Sequence, residues 1–306
     1  VLADVAINQG RLMAIGNHLG VTAKRVIDAR GLVVAPGFID IKTHSDFTLP
    51  INPKAESKLR QGVTTEIIGH CGFSVAPCLP GKVKLLADYL NPSAPWLPFR
   101  EMGFGEYLDS FPATSVYAGM LVGHNTLRLM AMGMAQRAPS EAEMAHMLDL
   151  LQEGMQAGAL GLSSGLFTTP GAYAQAEEML QLAQLVEQHH GAYFTHLRDE
   201  SNGVMAALQE AIDIARACRI HVQVVHFKCS GVDNWGQTAQ ALAHMQAARD
   251  AGMDIDCDAY PYTAGSNPRK NILPQWVQAG GVQAMLERLA DASTRERIRQ
   301  EVERDG

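Results

Sequence analysis

Residues 1–35 alternate apolar and polar positions around Gly10, Gly16, Gly20 and Gly31, the rhythm of short strands joined by tight turns. A small β piece is expected there. From Pro36 the rhythm changes, and short β-branched runs alternate with long stretches whose apolar residues recur every three or four positions. That alternation predicts βα units around a parallel sheet. Seven units can be traced, with strands ending near His44 (GFIDIKTH), His70 and Cys71 (TTEIIGHC), His124 (YAGMLVGH), Ser164 (ALGLSS), His196 (AYFTH), His226 (HVQVVHFK) and Tyr260 (DIDCDAY). Met144, Met147, Leu148, Leu151 and Met155 fall on one helical face, which reads as core packing. After the seventh strand the chain runs through NPRKNILPQW into a charged helical tail, whereas a closed barrel of this kind needs eight strands. The expected fold class is α/β: a TIM-like (β/α)8 barrel, here incomplete with seven strands. Residues 1–35 would form a partial small β domain and residues 36–306 the barrel.

Composition narrows the partners. With 47% hydrophobic and 19% charged residues and a formal net charge of −7, the chain offers no basic surface for nucleic acid or anionic lipid. A small-molecule substrate is the expected partner. No apolar run approaches the roughly 20 residues needed to span a bilayer, so no membrane association and a cytoplasmic location are expected. The five cysteines (Cys71, Cys78, Cys218, Cys229 and Cys257) show no paired spacing, which argues against a disulfide framework and leaves a cysteine free to act as a ligand. The oligomeric state is not encoded in any of these features.

Barrel enzymes keep reactive groups at the C-terminal ends of the strands, where those ends converge on one mouth. Five of the seven strand ends here carry His or Cys. One such residue alone is more often a satisfied core histidine or a small buried thiol. Their placement at corresponding points of successive units is harder to explain by packing. Catalytic zinc takes thiolate and imidazole ligands, three from the protein with a fourth position open, and Cys71, His196 and His226 supply such a set. A metal held this way makes amide hydrolysis feasible near neutral pH.

The segments APGFIDIKTHSD (35–46), QGVTTEIIGHCGFSVAP (61–77), LVGHNTLR (121–128), GALGLSSGL (158–166), YFTHLRDE (193–200), VVHFKCSGVDNWG (224–236) and DAYPYTAGS (258–266) together resemble the amidohydrolase superfamily. Within it they are similar to the N-acyl-D-amino-acid deacylases (D-aminoacylases). The resemblance implies a metal-dependent hydrolase barrel and zinc-dependent hydrolysis of N-acyl-D-amino acids to a carboxylate and a free D-amino acid. It further implies that Cys71 is the cysteine ligand of this branch, with His196 and His226 as its partners. Lys228, two residues past His226 and on the same side of the strand, matches the lysine that receives the substrate carboxylate. Tyr260 and Ser266 match further substrate-binding positions. Arg198 and Glu200 are either partners of a ligand or a charged pair opening the following helix. His70 and His124 border the mouth, and Thr168 stands where the family carries a tyrosine.

Two departures bear on the chemistry. The superfamily's first strand ends in His-x-His, which holds a second metal, but here it reads Lys42-Thr43-His44. An ammonium cannot ligate, so either Lys42 is deprotonated or the second position stays empty. One zinc is therefore expected, with His44 left as a weaker ligand candidate. The family also places a proton-relaying aspartate at the end of strand eight; Asp46 and Asp258 do not match it, and the catalytic aspartate is expected beyond residue 306. Two other readings stand beside the deacylase. One is a related metal-dependent amidase acting on another N-acyl or cyclic amide; the other is a truncated or degenerate relative without turnover.

Overall fold

Asp4–Asn8 (β1) and Arg11–Gly16 (β2) pair antiparallel through the turn at Gln9 and Gly10, both of which have positive φ (49° and 73°). No further strand forms between residues 17 and 37. The small β piece expected in this stretch is thus one hairpin. Alternation sets up a face, but a strand also needs a neighbour to take its backbone hydrogen bonds. The computed structural model describes residues 2–305, and the chain divides into two compact units, 1–36 and 37–306.

In the larger unit seven strands form one parallel sheet in strict chain order among the described residues. They are β3 (Phe38–Asp40), β4 (Val63–Ile68), β5 (Tyr117–Gly123), β6 (Gly161–Gly165), β7 (Ala192–His196), β8 (His221–Val224) and β9 (Ile255–Cys257). The sheet curls into an unclosed barrel. The helices in chain order are α1 (Glu56–Leu59), α2 (Val83–Leu90), α3 (Phe104–Asp109), α4 (His124–Met132), α5 (Glu141–Gln156), α6 (Ala176–Gln188), α7 (Val204–Ala217), α8 (Gln237–Asp250), α9 (Val282–Ala290) and α10 (Ala292–Asp305). None of them is long and apolar enough to cross a membrane, among the described residues.

Helix α5 illustrates how the pattern becomes structure. Ser140 and Glu143 form a reciprocal capping box that starts the helix, satisfying two backbone donors that would otherwise be orphaned. Behind that cap Met144, Met147, Leu151 and Met155 are buried together with Leu150, while Leu148 sits at the margin. Burying each such side chain stabilises the fold by about 1.5–3 kcal/mol. Truncating the fully buried Leu151 to Ala would cost about 2–5 kcal/mol.

Parallel register sets the level of the strand ends. Gly165 lies opposite His196 in the β6–β7 ladder, and Thr195 lies opposite Val224 in the β7–β8 ladder. His226 is therefore two residues beyond the point that pairs with the neighbour of His196. The loops that follow β4, β7 and β8 consequently leave the sheet at one end, which is where chemistry collects in such barrels.

Candidate metal centre

One ligand atom from each of Cys71, His196 and His226 lies within 4.8 Å of the others, and all three residues are buried. Cys71 follows β4 after Gly69 and His70; its backbone is left-handed, with φ 56°. His196 is the last residue of β7. His226 sits just past β8, also left-handed, with φ 42°. Such φ values are costly for residues with a Cβ and persist only when the surroundings impose them.

Those surroundings are visible. At Cys71, a Cβ on Gly165 would lie 2.1 Å from the Cys71 carbonyl oxygen, and one on Gly72 would lie 2.1 Å from Asn125 Oδ1. Only glycine permits this close approach of the β4, β5 and β6 ends. Buried Asn125 fastens it: Oδ1 accepts from the Gly165 N–H (3.3 Å), and Nδ2 reaches Tyr89 Oη (2.9 Å) and Thr168 Oγ1 (3.1 Å). Ser163 Oγ accepts from the Gly72 N–H (3.1 Å) and donates to the Gly69 carbonyl. At His226, Asp258 Oδ1 accepts the backbone N–H at 2.6 Å, while Gln223 Nε2 donates to Asp258 Oδ2 at 3.0 Å. Asp258 thus has both oxygens hydrogen-bonded, one to the His226 backbone and the other to the Gln223 side chain.

The donor set fits a zinc ion. His226 Nε2 lies 3.6 Å from Cys71 Sγ, and two ligands at Zn–S and Zn–N bond lengths in a tetrahedron are separated by about 3.6 Å. His196 Nε2 is buried without a hydrogen-bond partner, an arrangement that costs free energy unless another group takes up the lone pair. Burial pushes His196 down to about 3, and burial together with the Lys228 and Lys42 charges does the same for His226. Both rings are therefore neutral and can offer a lone pair to a metal. Burial pushes the Cys71 thiol up, against the pull of the Lys42 ammonium. A positive ion in the site would reverse that effect.

The other residues singled out from the sequence divide. Lys42 Nζ lies 3.1 Å from His44 Nε2, and the His44 ring stacks on Phe47. His44 is held well below its ordinary value by burial and by Lys42. Lys228 Nζ lies 5.6 Å from the centre of the Tyr260 ring, which stacks on Tyr262. Ser266 lies on an exposed loop and makes no hydrogen bond among the described residues; the preceding Gly265 sits beside Tyr260, where a Cβ would lie 3.7 Å from Tyr260 Oη. His70 packs edge-on to Phe194. His124 turns away into a sealed cluster, with Nε2 2.7 Å from Glu178 Oε1. Thr168 is held by Asn125, and it is the neighbouring Phe167 that stacks on His196 at 5.5 Å.

Arg198 and Glu200 part company. Helix α7 begins only at Val204, so neither residue opens it. Arg198 pairs with Glu210 (2.8 Å) and caps the Ala172 and Ala174 carbonyls. Glu200 reaches the site: Oε1 is 3.1 Å from His226 Nδ1, and Oε2 is 2.6 Å from Lys228 Nζ and 3.5 Å from His196 Nε2. The proximity of Glu200 to His196 in the sequence was the available signal. Which of the two charges would turn inward was not.

The sequence profile of the amidohydrolase family matches residues 25–294. The D-aminoacylase of Alcaligenes xylosoxydans xylosoxydans is 40% identical over 270 residues, covering 88% of this chain and 55% of that protein. A solved D-aminoacylase, studied for a binuclear metal centre with one-metal activation and second-metal attenuation, superimposes with a TM-score of 0.78 at 37% identity, over 86% of this chain and 55% of that one. The N-acyl-D-glutamate deacylase of Bordetella bronchiseptica, solved with zinc and a phosphonate mimic of the tetrahedral intermediate, gives 0.76 at 38% identity, over 85% and 54% of the two chains. The chain spans about half the length of the curated relatives it matches. With the family profile matched over residues 25–294 and a relative 40% identical over 88% of its length, the chain belongs to the amidohydrolase family.

Proposed function

We propose that this chain carries the metal site and the carboxylate-binding side of a hydrolase that cleaves N-acyl-D-amino acids to a carboxylic acid and a free D-amino acid. The observation that carries the reading is the convergence of the buried Cys71, His196 and His226, whose ligand atoms lie within 4.8 Å of one another, with His196 Nε2 making no hydrogen bond. The deacylase relatives supply the substrate class. Cys71, His196 and His226 would hold one zinc ion, which when bound supplies Lewis acidity toward a carbonyl oxygen and acidifies water to near neutrality. Lys42, with its ammonium against His44 Nε2, supports a single ion: it puts a positive charge where a second cation would need a ligand.

The remaining roles fall to the chain's own side chains. Lys228, 32% exposed at its side chain, offers its ammonium to the substrate carboxylate, and the Tyr260 ring walls that position. Ser266 belongs to this group on family resemblance alone. Phe167, stacked on His196, keeps one face of that ring away from water. Asp258 holds the His226 backbone and, with both oxygens occupied, is not the proton relay.

The test is release of free amine from N-acetyl-D-amino acids by zinc-loaded protein, with the L-forms and Cys71→Ala as controls. D-selective release that Cys71→Ala abolishes is the expected result. Release from the L-forms alone, or none from the D-forms with zinc stoichiometrically bound, would sink the reading.

A further inference from the structure

Two charged side chains meet at Nδ1 on the outer edge of the His226 ring. Glu200 Oε1 lies 3.1 Å from Nδ1, but Lys228 Nζ lies at the same 3.1 Å distance from the same nitrogen. Lys228 Nζ also reaches Glu200 Oε2 at 2.6 Å and donates to the His226 carbonyl at 2.8 Å. The backbone of Glu200 is fixed as well, its carbonyl accepting from the Ser230 N–H at 2.6 Å. An ammonium has donors only, and a carboxylate has acceptors only. The two neighbours therefore make opposite demands on Nδ1: Glu200 asks it to carry the hydrogen, and Lys228 asks it to carry the lone pair. A neutral imidazole has one hydrogen, so whichever nitrogen holds it leaves the other as the acceptor. Nε2 faces Cys71 Sγ at 3.6 Å and can ligate a metal only if the hydrogen sits on Nδ1.

We propose that Glu200 is a positioning residue that sets the ligating nitrogen of His226 against competition from Lys228, by taking the Nδ1–H on one oxygen and the Lys228 ammonium on the other. The proposal rests on the reading of His226 as a ligand and of Lys228 as the substrate anchor. It explains why a lysine can stand beside a metal-binding histidine without capturing its lone pair, and why the carboxylate bridges the two. Acidic partners on the far nitrogen of a metal-bound histidine commonly change metal affinity by 10–100-fold.

The experiment measures zinc affinity by competition with a chromophoric chelator on the full chain, with circular dichroism to confirm folding. Glu200→Ala should weaken zinc by roughly 10–100-fold, because Lys228 is then free to donate to Nδ1. Glu200→Gln keeps an acceptor for Nδ1–H and should stay closer to the wild type than Glu200→Ala does. The decisive arm is the double variant Glu200→Ala with Lys228→Met, which removes the competing donor and should recover most of the lost affinity. A merely structural role for Glu200 predicts no such recovery. Unchanged zinc affinity in Glu200→Ala, an equal loss in Glu200→Gln, or no recovery in the double variant overturns the proposal. Cys71→Ala run in parallel separates this from failure of the metal site itself: if that variant also binds zinc normally, the ligand set is wrong, not the role of Glu200.

Discussion

Two trios of the same kind, each an imidazole, a carboxylate and a cation, lie in this barrel: His226, Glu200 and Lys228 after β7 and β8, and His124, Glu178 and Arg128 along α4 and α6. In both, one carboxylate bridges an imidazole and a cation. The second trio is sealed. Its side chains are 0–2% exposed, and Arg128 Nη2 donates onward to the Arg137 carbonyl at 2.9 Å. In the first, side-chain exposure rises from 10% at His226 to 32% at Lys228, and the free ring nitrogen faces a thiol. The difference shows that chemistry here comes from what is left open. A closed His–Glu–cation set ties helices together, whereas a similar set with a reachable cation and an imidazole edge turned to Cys71 is, on the proposed function, part of a binding site.

The contrast can be broken most directly at Cys71. Cys71→Ala should abolish stoichiometric zinc binding, read by metal analysis after dialysis, while leaving the sealed trio and the fold intact; zinc retained at one equivalent would remove the open trio's distinction. The next largest effect belongs to the sealed side. Glu178→Gln leaves a buried guanidinium without its counter-charge and should cost about 3–5 kcal/mol of stability in urea at neutral pH, with zinc content unchanged. The same exchange in the open trio, Glu200→Gln, should cost under about 2 kcal/mol, because water reaches Lys228. Equal losses at the two sites would contradict the comparison.

Smaller effects sharpen it. Asp258→Ala, which frees the His226 backbone, should weaken zinc by about 10-fold, the low end for a group that acts through a ligand, whereas Asp258→Asn, which keeps an acceptor, should lie near the wild type. The sealed trio should also leave a mark on the pH dependence. Burial alone would raise the Glu178 carboxyl, but His124 and Arg128 outweigh it and hold the group below the ordinary carboxylate range. Its stabilising contribution is therefore complete above the unfolded value of about 4.3 and is lost as pH falls through the lower folded value. The unfolding free energy of Glu178→Gln should accordingly fall less steeply than that of the wild type on the acid side. Parallel acid limbs would show that Glu178 is not what the low-pH limb reports.

The sequence made the sheet legible because strand signals are local: β-branched runs bounded by helix-period stretches placed all seven strands, and the methionine stripe of α5 packs as its spacing implied. The convergence of Cys71, His196 and His226 was legible for a related reason, since equivalent points of parallel strands arrive at one level. What stayed hidden depends on contacts between distant residues or on the direction of one side chain. Arg198 and Glu200 are two positions apart and equally charged in magnitude, and only the packing of the 171–174 segment and the position of Lys228 send one outward and the other inward. In the sequence Asp258 shows only as a mismatch to the proton relay, and its hold on the His226 backbone was hidden because the two are 32 residues apart. The small β piece expected in the first 35 residues is there as the hairpin of residues 4–16, while periodicity could not say which segments after it find a neighbour.

The left-handed backbone at Cys71 and His226 has a consequence for how this chain would record its own history. Glycine and asparagine satisfy such φ values at least strain, so on backbone grounds alone both positions favour residues that cannot build this site. In a lineage no longer selected for metal binding, these two positions would be early to drift toward Gly or Asn, relieving about 1–2 kcal/mol each. On the proposed function, a cysteine and a histidine found together at these two positions would offer a simple way to sort working relatives from decayed ones.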